Sequence, residues 1–193
     1  MKTVVIEGQL RTDTGKKAAR DLRSSGQVLG VIYGGKEEIH FSAPQLAFRP
    51  LVYTPEFQIA EIKVDGKSYR TILKDKQFDV VTDSLNHIDF LELVSDRKVI
   101  ANLPLNFVGQ SEGVKAGGRL VIKMKSLKLR TMPENLVSSI DVDITNLQLN
   151  GNIRVEDVKI ENAELMNPLR QPIASVVMTR ALRQAETETK KGK

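Results

Sequence analysis

Lys16, Arg20 and Arg23 recur at i, i+4 and i+7, a spacing that lays three cations along one face of a helix, with Ala18 and Leu22 on the opposite, packing face. Like charges crowded within two turns destabilise an isolated helix. The arrangement makes chemical sense when an anion comes to meet it, and a run of phosphates is the obvious one. The bland alternative is a solvated face, the usual fate of charge runs. From Arg11 to Lys36 six basic residues stand against Asp13 and Asp21 alone. Contact with a polyanion would therefore be driven by a patch. Bulk charge does not supply it, because residues 1 to 94 hold thirteen basic and thirteen acidic side chains and the net +5 comes wholly from the rest of the chain.

Two other constellations could do chemistry. His87 and Asp89 alternate onto one side of a strand and could be a general-base dyad or a pair of metal ligands. A third partner is missing: the only other histidine is His40 and there is no cysteine, so a zinc site is short of donors and disulfides are excluded. As groups facing RNA they make better sense, since a carboxylate accepts from a base amino group and an imidazole stacks or donates. Gly109-Gln110-Ser111-Glu112-Gly113 matches the nucleophile-elbow pattern of serine hydrolases. That elbow requires a strand, a tight turn and a helix, whereas Gly117-Gly118 and a strand are expected here, and no histidine lies downstream of Ser111. Arg119, Lys123, Lys125, Lys128 and Arg130 form a second basic stretch, read as a solvated strand face in preference to a phosphate contact. Asp141 and Asp143 share a strand side without a third oxygen donor for calcium. No catalytic residue, metal or cofactor is expected.

The elements that must position these groups follow from periodicity. Lys2 to Leu10 alternates as a strand and brings Arg11 beside the cationic helix; Thr14 or Asp13 can cap that helix and Gly26 suits the left-handed position past its end. Val28 to Tyr33 is apolar enough for a central strand. Pro44 is expected in the first turn of a short helix through Phe48. Asp65-Gly66 predicts a hairpin pairing Ile62 with Tyr69 and Glu61 with Arg70, continuing as an edge through Lys74-Asp75-Lys76-Gln77-Phe78. Leu85 to Phe90 alternates, burying Ile88 and Phe90. A boundary is placed near Val94 to Arg97. Beyond it Ala101, Leu103, Leu105 and Phe107 alternate inward on a strand that Pro104 assigns to an edge, Val114 to Gly118 is a loop, and Arg119 to Thr131 is one long strand with a bulge at Lys125-Ser126. Ile140, Val142 and Ile144 point inward, and Ile153 to Ile160 and Ile173 to Met178 complete a second β unit. The expected organisation is mainly β with short helices: an N-terminal barrel over 1–94, a mostly β domain over 95–182 and a disordered charged tail over 183–193. The N-terminus has no apolar core of a signal peptide, and no stretch approaches the roughly 18 apolar residues of a membrane helix, so a cytoplasmic protein is expected.

With these residues laid out, the chain resembles the Ctc (general stress protein) family of bacterial ribosomal proteins, the twenty-fifth protein of the large subunit, in its long two-domain form. Arg11 to Arg23 is similar to the family's Arg-x-x-x-Gly-Lys-x-Ala-x-Arg-x-Leu-Arg motif, Gly30-Val31-Ile32-Tyr33-Gly34 to its Tyr-Gly strand, and His87-Ile88-Asp89-Phe90 to its His-Ile/Val-Asp-Phe signature. Gly109-x-Ser111-x-Gly113-Val114-Lys115-x-Gly117-Gly118 and Ile140-x-Val142-Asp143-Ile144 resemble its C-terminal β domain. The resemblance implies a non-enzymatic, ribosome-associated protein that binds 5S rRNA through its barrel, with Arg11, Lys16, Arg20, Arg23, Tyr33, Gln77, His87 and Asp89 at the interface. For the C-terminal domain it leaves neighbouring ribosomal proteins or other rRNA as partners. Leu29 stands where the family commonly has proline, Phe78-Asp79-Val80 where Arg-x-Pro is frequent, and Lys17 adds a charge where a small residue is usual. The competing reading is a stress-related interaction module whose basic helix binds an acidic protein.

Overall fold

The computed structural model describes residues 1–160, 162–180, 182 and 184. Apart from Gln184, the tail expected over 183–193 lies outside them. The chain divides into two units, one of Met1–Ala101 with Met132–Ser138, the other of Asn102–Thr131 with the residues from Ser139 onward.

The first unit is built from β1 (Thr3–Leu10), α1 (Lys16–Ser24), β2 (Gln27–Tyr33), β3 (Ile39–Pro44), α2 (Gln45–Val52), β4 (Ile59–Val64), β5 (Lys67–Phe78) and β6 (Leu85–Glu92). The strands close into a six-stranded barrel in the order β1-β3-β2-β6-β5-β4, with β1 parallel to β4 and β2 parallel to β6. Closure gives every strand two neighbours, although β1 meets β3 only at Gln9 and Leu10. β5 pairs with β4 over Lys67 to Ile72, and beyond that Asp75 to Phe78 pair with β6 alone, so the stretch expected to continue as an edge has a strand partner on one side only.

Alternation along each strand fills the interior. Ile6, Val28, Ile32, Phe41, Ile62, Ile88 and Phe90 point inward, and α2 adds Phe48, Leu51 and Val52. The Phe41, Phe48 and Phe90 rings meet with centroids 6.0–6.4 Å apart. Gly30 makes room for them, since a Cβ there would stand 2.5 Å from Phe41 Cζ. The hairpin forms as expected: Asp65 and Gly66 both take positive φ, and Ile62 faces Tyr69 while Glu61 faces Arg70.

Two local expectations change. α1 is capped by the Gly15 backbone and receives no side-chain bond from Asp13 or Thr14, although Gly26 does close it with φ +79°. The segment before α2 is strand β3, with Pro44 at the N-cap, and α2 runs on through Pro50 to Val52 because three apolar side chains hold it to the core.

Between β5 and β6 the chain turns over Asp79. Its Oδ1 accepts from the Val81 and Thr82 amides at 3.0 and 2.9 Å, and the Thr82 amide, with smaller help from Val81, holds the carboxyl below the usual aspartate range. A folded value below the unfolded one means that the turn keeps this support above roughly pH 4 and loses it as pH falls through the folded value. The protection of the Val81 and Thr82 amides, taken relative to their intrinsic exchange rate at each pH, is expected to fall only below that point. Loss of protection near pH 5 would contradict the assignment.

The second unit contains β7 (Val99–Val108) from Asn102 onward, α3 (Glu112–Lys115), β8 (Arg119–Ile122), β9 (Ser126–Thr131), β10 (Ile140–Asp143), β11 (Asn152–Arg154), β12 (Ala163–Leu165) and β13 (Pro172–Val177). They form a four-stranded sheet, β10-β7-β9-β12, and a three-stranded one, β11-β13-β8. Leu103, Leu127, Leu129, Val142, Ile173 and Val176 are among its buried residues, and Ile140 and Ile144 point inward as expected. The stretch from Arg119 to Thr131 is two strands in different sheets, so the slip in phase marks a change of sheet where a bulge was expected. β7 is an interior strand. Pro104 is tolerated because the ladder to β10 begins only at Leu105. Glu112–Lys115 is a short helix where a loop was expected.

Candidate nucleic-acid interface

Ser111 can be set aside first. It is 1% exposed; its Oγ donates to the Leu147 carbonyl at 2.5 Å and accepts from the Val114 amide at 3.4 Å. The hydroxyl is spent on holding a helix N-terminus. The second basic stretch is split between β8, β9 and the connection joining them, which separates its charges onto two sheets. Asp141 accepts from Asn106 Nδ2 and Asp143 from the Thr145 amide and hydroxyl, so each carboxylate serves its own local turn or strand pair. Among the described residues no cluster of three metal-ligating side chains occurs.

The barrel gathers most of the other candidates. α1 packs on β2 through Ala18, Ala19 and Leu22, which are half-buried, and leaves Lys16, Lys17, Arg20 and Arg23 exposed. Arg23 Nε donates to the Asn86 carbonyl at 3.2 Å, tying the last turn of the helix to the start of β6. Lys16, Arg20 and Arg23 meet no carboxylate at ion-pair distance among the described residues.

Beside α1 lies a polar strip on the outer face of three strands. Register places Leu29 of β2, His87 of β6 and Gln77 of β5 side by side, and in the next outward row Val31, Asp89 and Asp75. Tyr33 follows on β2, one row further, so the strip runs about 13 Å from the level of His87 to that of Tyr33. His87 Nδ1 stands 2.8 Å from Asp89 Oδ1, at ion-pair distance though outside hydrogen-bond alignment, with both side chains a little over a quarter exposed. Burial first, then the charges of Asp89 and Asp75, push the Tyr33 hydroxyl above its ordinary pKa. It remains a donor at neutral pH, beside two acceptors.

Asp75 escaped the sequence reading. A register shift between Leu73 and Asp75 turns its side outward, and the only hint was its i, i+2 relation to Gln77. Two carboxylates directly opposed across a ladder repel each other. A hydrogen-bond donor between them would relieve that repulsion.

Arg11 stands apart from the strip. Its Nη2 donates to the Asp13 carbonyl at 3.0 Å, its Nε is buried without a partner, and it borders a cleft on the β1 side of α1 with Ala18, Asp21 and Leu22. Seven of the eight candidate residues therefore share α1 and the β2-β6-β5 face, and Arg11 flanks α1 from the other side.

A closed barrel that sets helix cations, unneutralised among the described residues, next to a donor-and-acceptor strip and is followed by a second β unit defines the chain as a two-unit β protein. The chain is a member of the Ribosomal L25p family, whose model matches residues 6–90, and residues 98–180 match the family described as ribosomal protein TL5, C-terminal domain. Curated relatives agree over nearly the full length. A large ribosomal subunit protein bL25 of Porphyromonas gingivalis is 40% identical, over 96% of this chain and 97% of its own. Proteins of the same name from Amoebophilus asiaticus and Cytophaga hutchinsonii are 39% and 36% identical, each over at least 99% of both chains. As a member of a ribosomal protein family the chain is a structural protein and not an enzyme. No helix among the described residues is long and apolar enough to cross a membrane.

Proposed function

We propose that the chain is a structural constituent of the large ribosomal subunit that binds 5S rRNA through α1 and the outer face of β2, β6 and β5. The observation that carries this reading is the adjacency of three cations, none paired with a carboxylate among the described residues, to a strip of hydrogen-bonding groups on rigid strands. Phosphate contacts position and polar edges specify. In this scheme Lys16, Arg20 and Arg23 take phosphates, Arg11 steadies the loop before α1 and adds charge beside it, and Tyr33, Gln77, His87 and Asp89 read an irregular RNA helix. Asp75 joins them as a second acceptor.

The proposal includes a working division into an RNA-binding region over 1–94 and a C-terminal domain over 95–182 that contacts neighbouring ribosomal proteins or other rRNA, in the cytoplasm. An acidic protein partner for α1 gains no support from a ribosomal family membership or from the acceptor groups beside the helix.

Binding of purified 5S rRNA by the full chain, measured against a tRNA of similar size, tests the reading: a preference for 5S rRNA is expected, and equal affinity would overturn it. Asp89→Asn should narrow that preference by about tenfold, since a mispaired base contact typically costs about 1–3 kcal/mol. Equal losses for both RNAs would show that Asp89 does not specify.

A further inference from the structure

We propose that Tyr53 and Phe78, with Lys76 beside them, form a stacking seat for one unpaired nucleobase of the RNA held on the adjoining strand face; the inference rests on the RNA-binding reading above. The two rings lie at one end of the barrel, where α2 ends and β5 runs out. Tyr53 is 62% exposed and Phe78 36%, an unusual amount of aromatic surface to leave in water. Their centroids are 6.4 Å apart with the planes inclined at 54°, so each ring braces the other edge-on and neither covers the other's outer face. Lys76 Nζ stands over one face of the Phe78 ring, 5.6 Å from its centroid, and is pinned by donating to the Val52 carbonyl at 3.1 Å, which leaves a base the opposite face and the Tyr53 ring. A ring with a fixed cation beside it is suited to a base whose own phosphate follows it.

The surroundings favour a nucleotide over an apolar peptide. Tyr53 borders a hollow of about 620 Å³ with Gly26, Pro44, Gln45, Leu46 and Arg49; the lining contains a cation and no acid, and Gly26 is the residue that closes α1. The nearby Asp79 carboxylate is turned onto the Val81 and Thr82 amides. Phe78 follows Gln77 but pairs with Leu85, and Lys76 pairs with Ile88, so the two side chains lie on the face of β5 opposite the strip and the seat opens at the end of the barrel, where an RNA held on the strip would reach it past the end of β5. Here the chain carries Phe78 where an arginine is frequent in the family it resembles.

The test uses the full chain and 5S rRNA carrying 2-aminopurine at each unpaired position in turn. The wild type is expected to quench one position on binding. Tyr53→Leu/Phe78→Leu, which keeps apolar bulk and loses both rings, should abolish that quench and weaken binding about tenfold or more, with the salt slope unchanged because no phosphate contact is lost. An RNA made abasic at the quenched position should bind wild type and variant alike. Tight binding by the wild type with no position quenched, or a variant that loses affinity equally for intact and abasic RNA, overturns the seat and leaves the strand-face reading standing. A variant that keeps its RNA affinity and loses association with another ribosomal protein likewise overturns it. Failure of the wild type to bind 5S rRNA removes both.

Discussion

Replacing Lys16, Arg20 and Arg23 together by glutamine is expected to reduce the salt slope of 5S rRNA binding by about two to three units, since each phosphate contact contributes about 0.7–0.9. The folded protein should barely notice. All three side chains are exposed, none is in an ion pair among the described residues, and removing three like charges from a nine-residue helix relieves repulsion. The one internal bond at stake is Arg23 Nε to the Asn86 carbonyl. Circular dichroism and the urea midpoint should therefore stay near wild type while affinity collapses at moderate salt. A slope that does not move would mean that the cations face water in the complex as they do in the free chain.

The largest loss of stability is expected at Phe90. Its ring is fully buried, packs on Phe41 and Phe48, and belongs to the strand that carries His87 and Asp89 on its other face. Phe90→Ala removes that contact and leaves a cavity that rigid barrel strands cannot fill, for about 3–5 kcal/mol. The same change loosens β6 and with it the spacing of Asp89 from Asp75. RNA preference should fall even where the variant remains folded. Urea denaturation measures the first effect, and a loss below about 1 kcal/mol would show that the barrel end relaxes around the gap.

How far the sequence could be read depended on whether a feature was local. The Asp65-Gly66 hairpin was legible because turn chemistry and alternation agree within a dozen residues, and the outward pairing of His87 with Asp89 because a period of two leaves no other choice. The cationic face of α1 was legible from spacing alone. What depends on distant partners was not. Ile39, Phe41 and Ala43 alternate with His40 and Ser42, but the run is short and Pro44 reads as a helix start, so the strand is fixed by β1 and β2 on either side. Asp75 reaches the strip only through a register shift on β5, and the stretch from Arg119 to Thr131 divides because its halves find different partners, β13 and β12. The order of strands around the barrel, which brings β2, β6 and β5 together, is set by closure, and no segment encodes it alone.

The central claim is that folded 5S rRNA is what α1 and its neighbouring strip hold. The most direct measurement is the identity of the RNA that co-purifies with the full chain expressed in its own cells, compared with the Lys16/Arg20/Arg23→Gln variant. Enrichment of 5S rRNA with the wild type and its loss from the variant is the predicted result; RNA of no particular identity, or 5S rRNA retained equally by the variant, would contradict it.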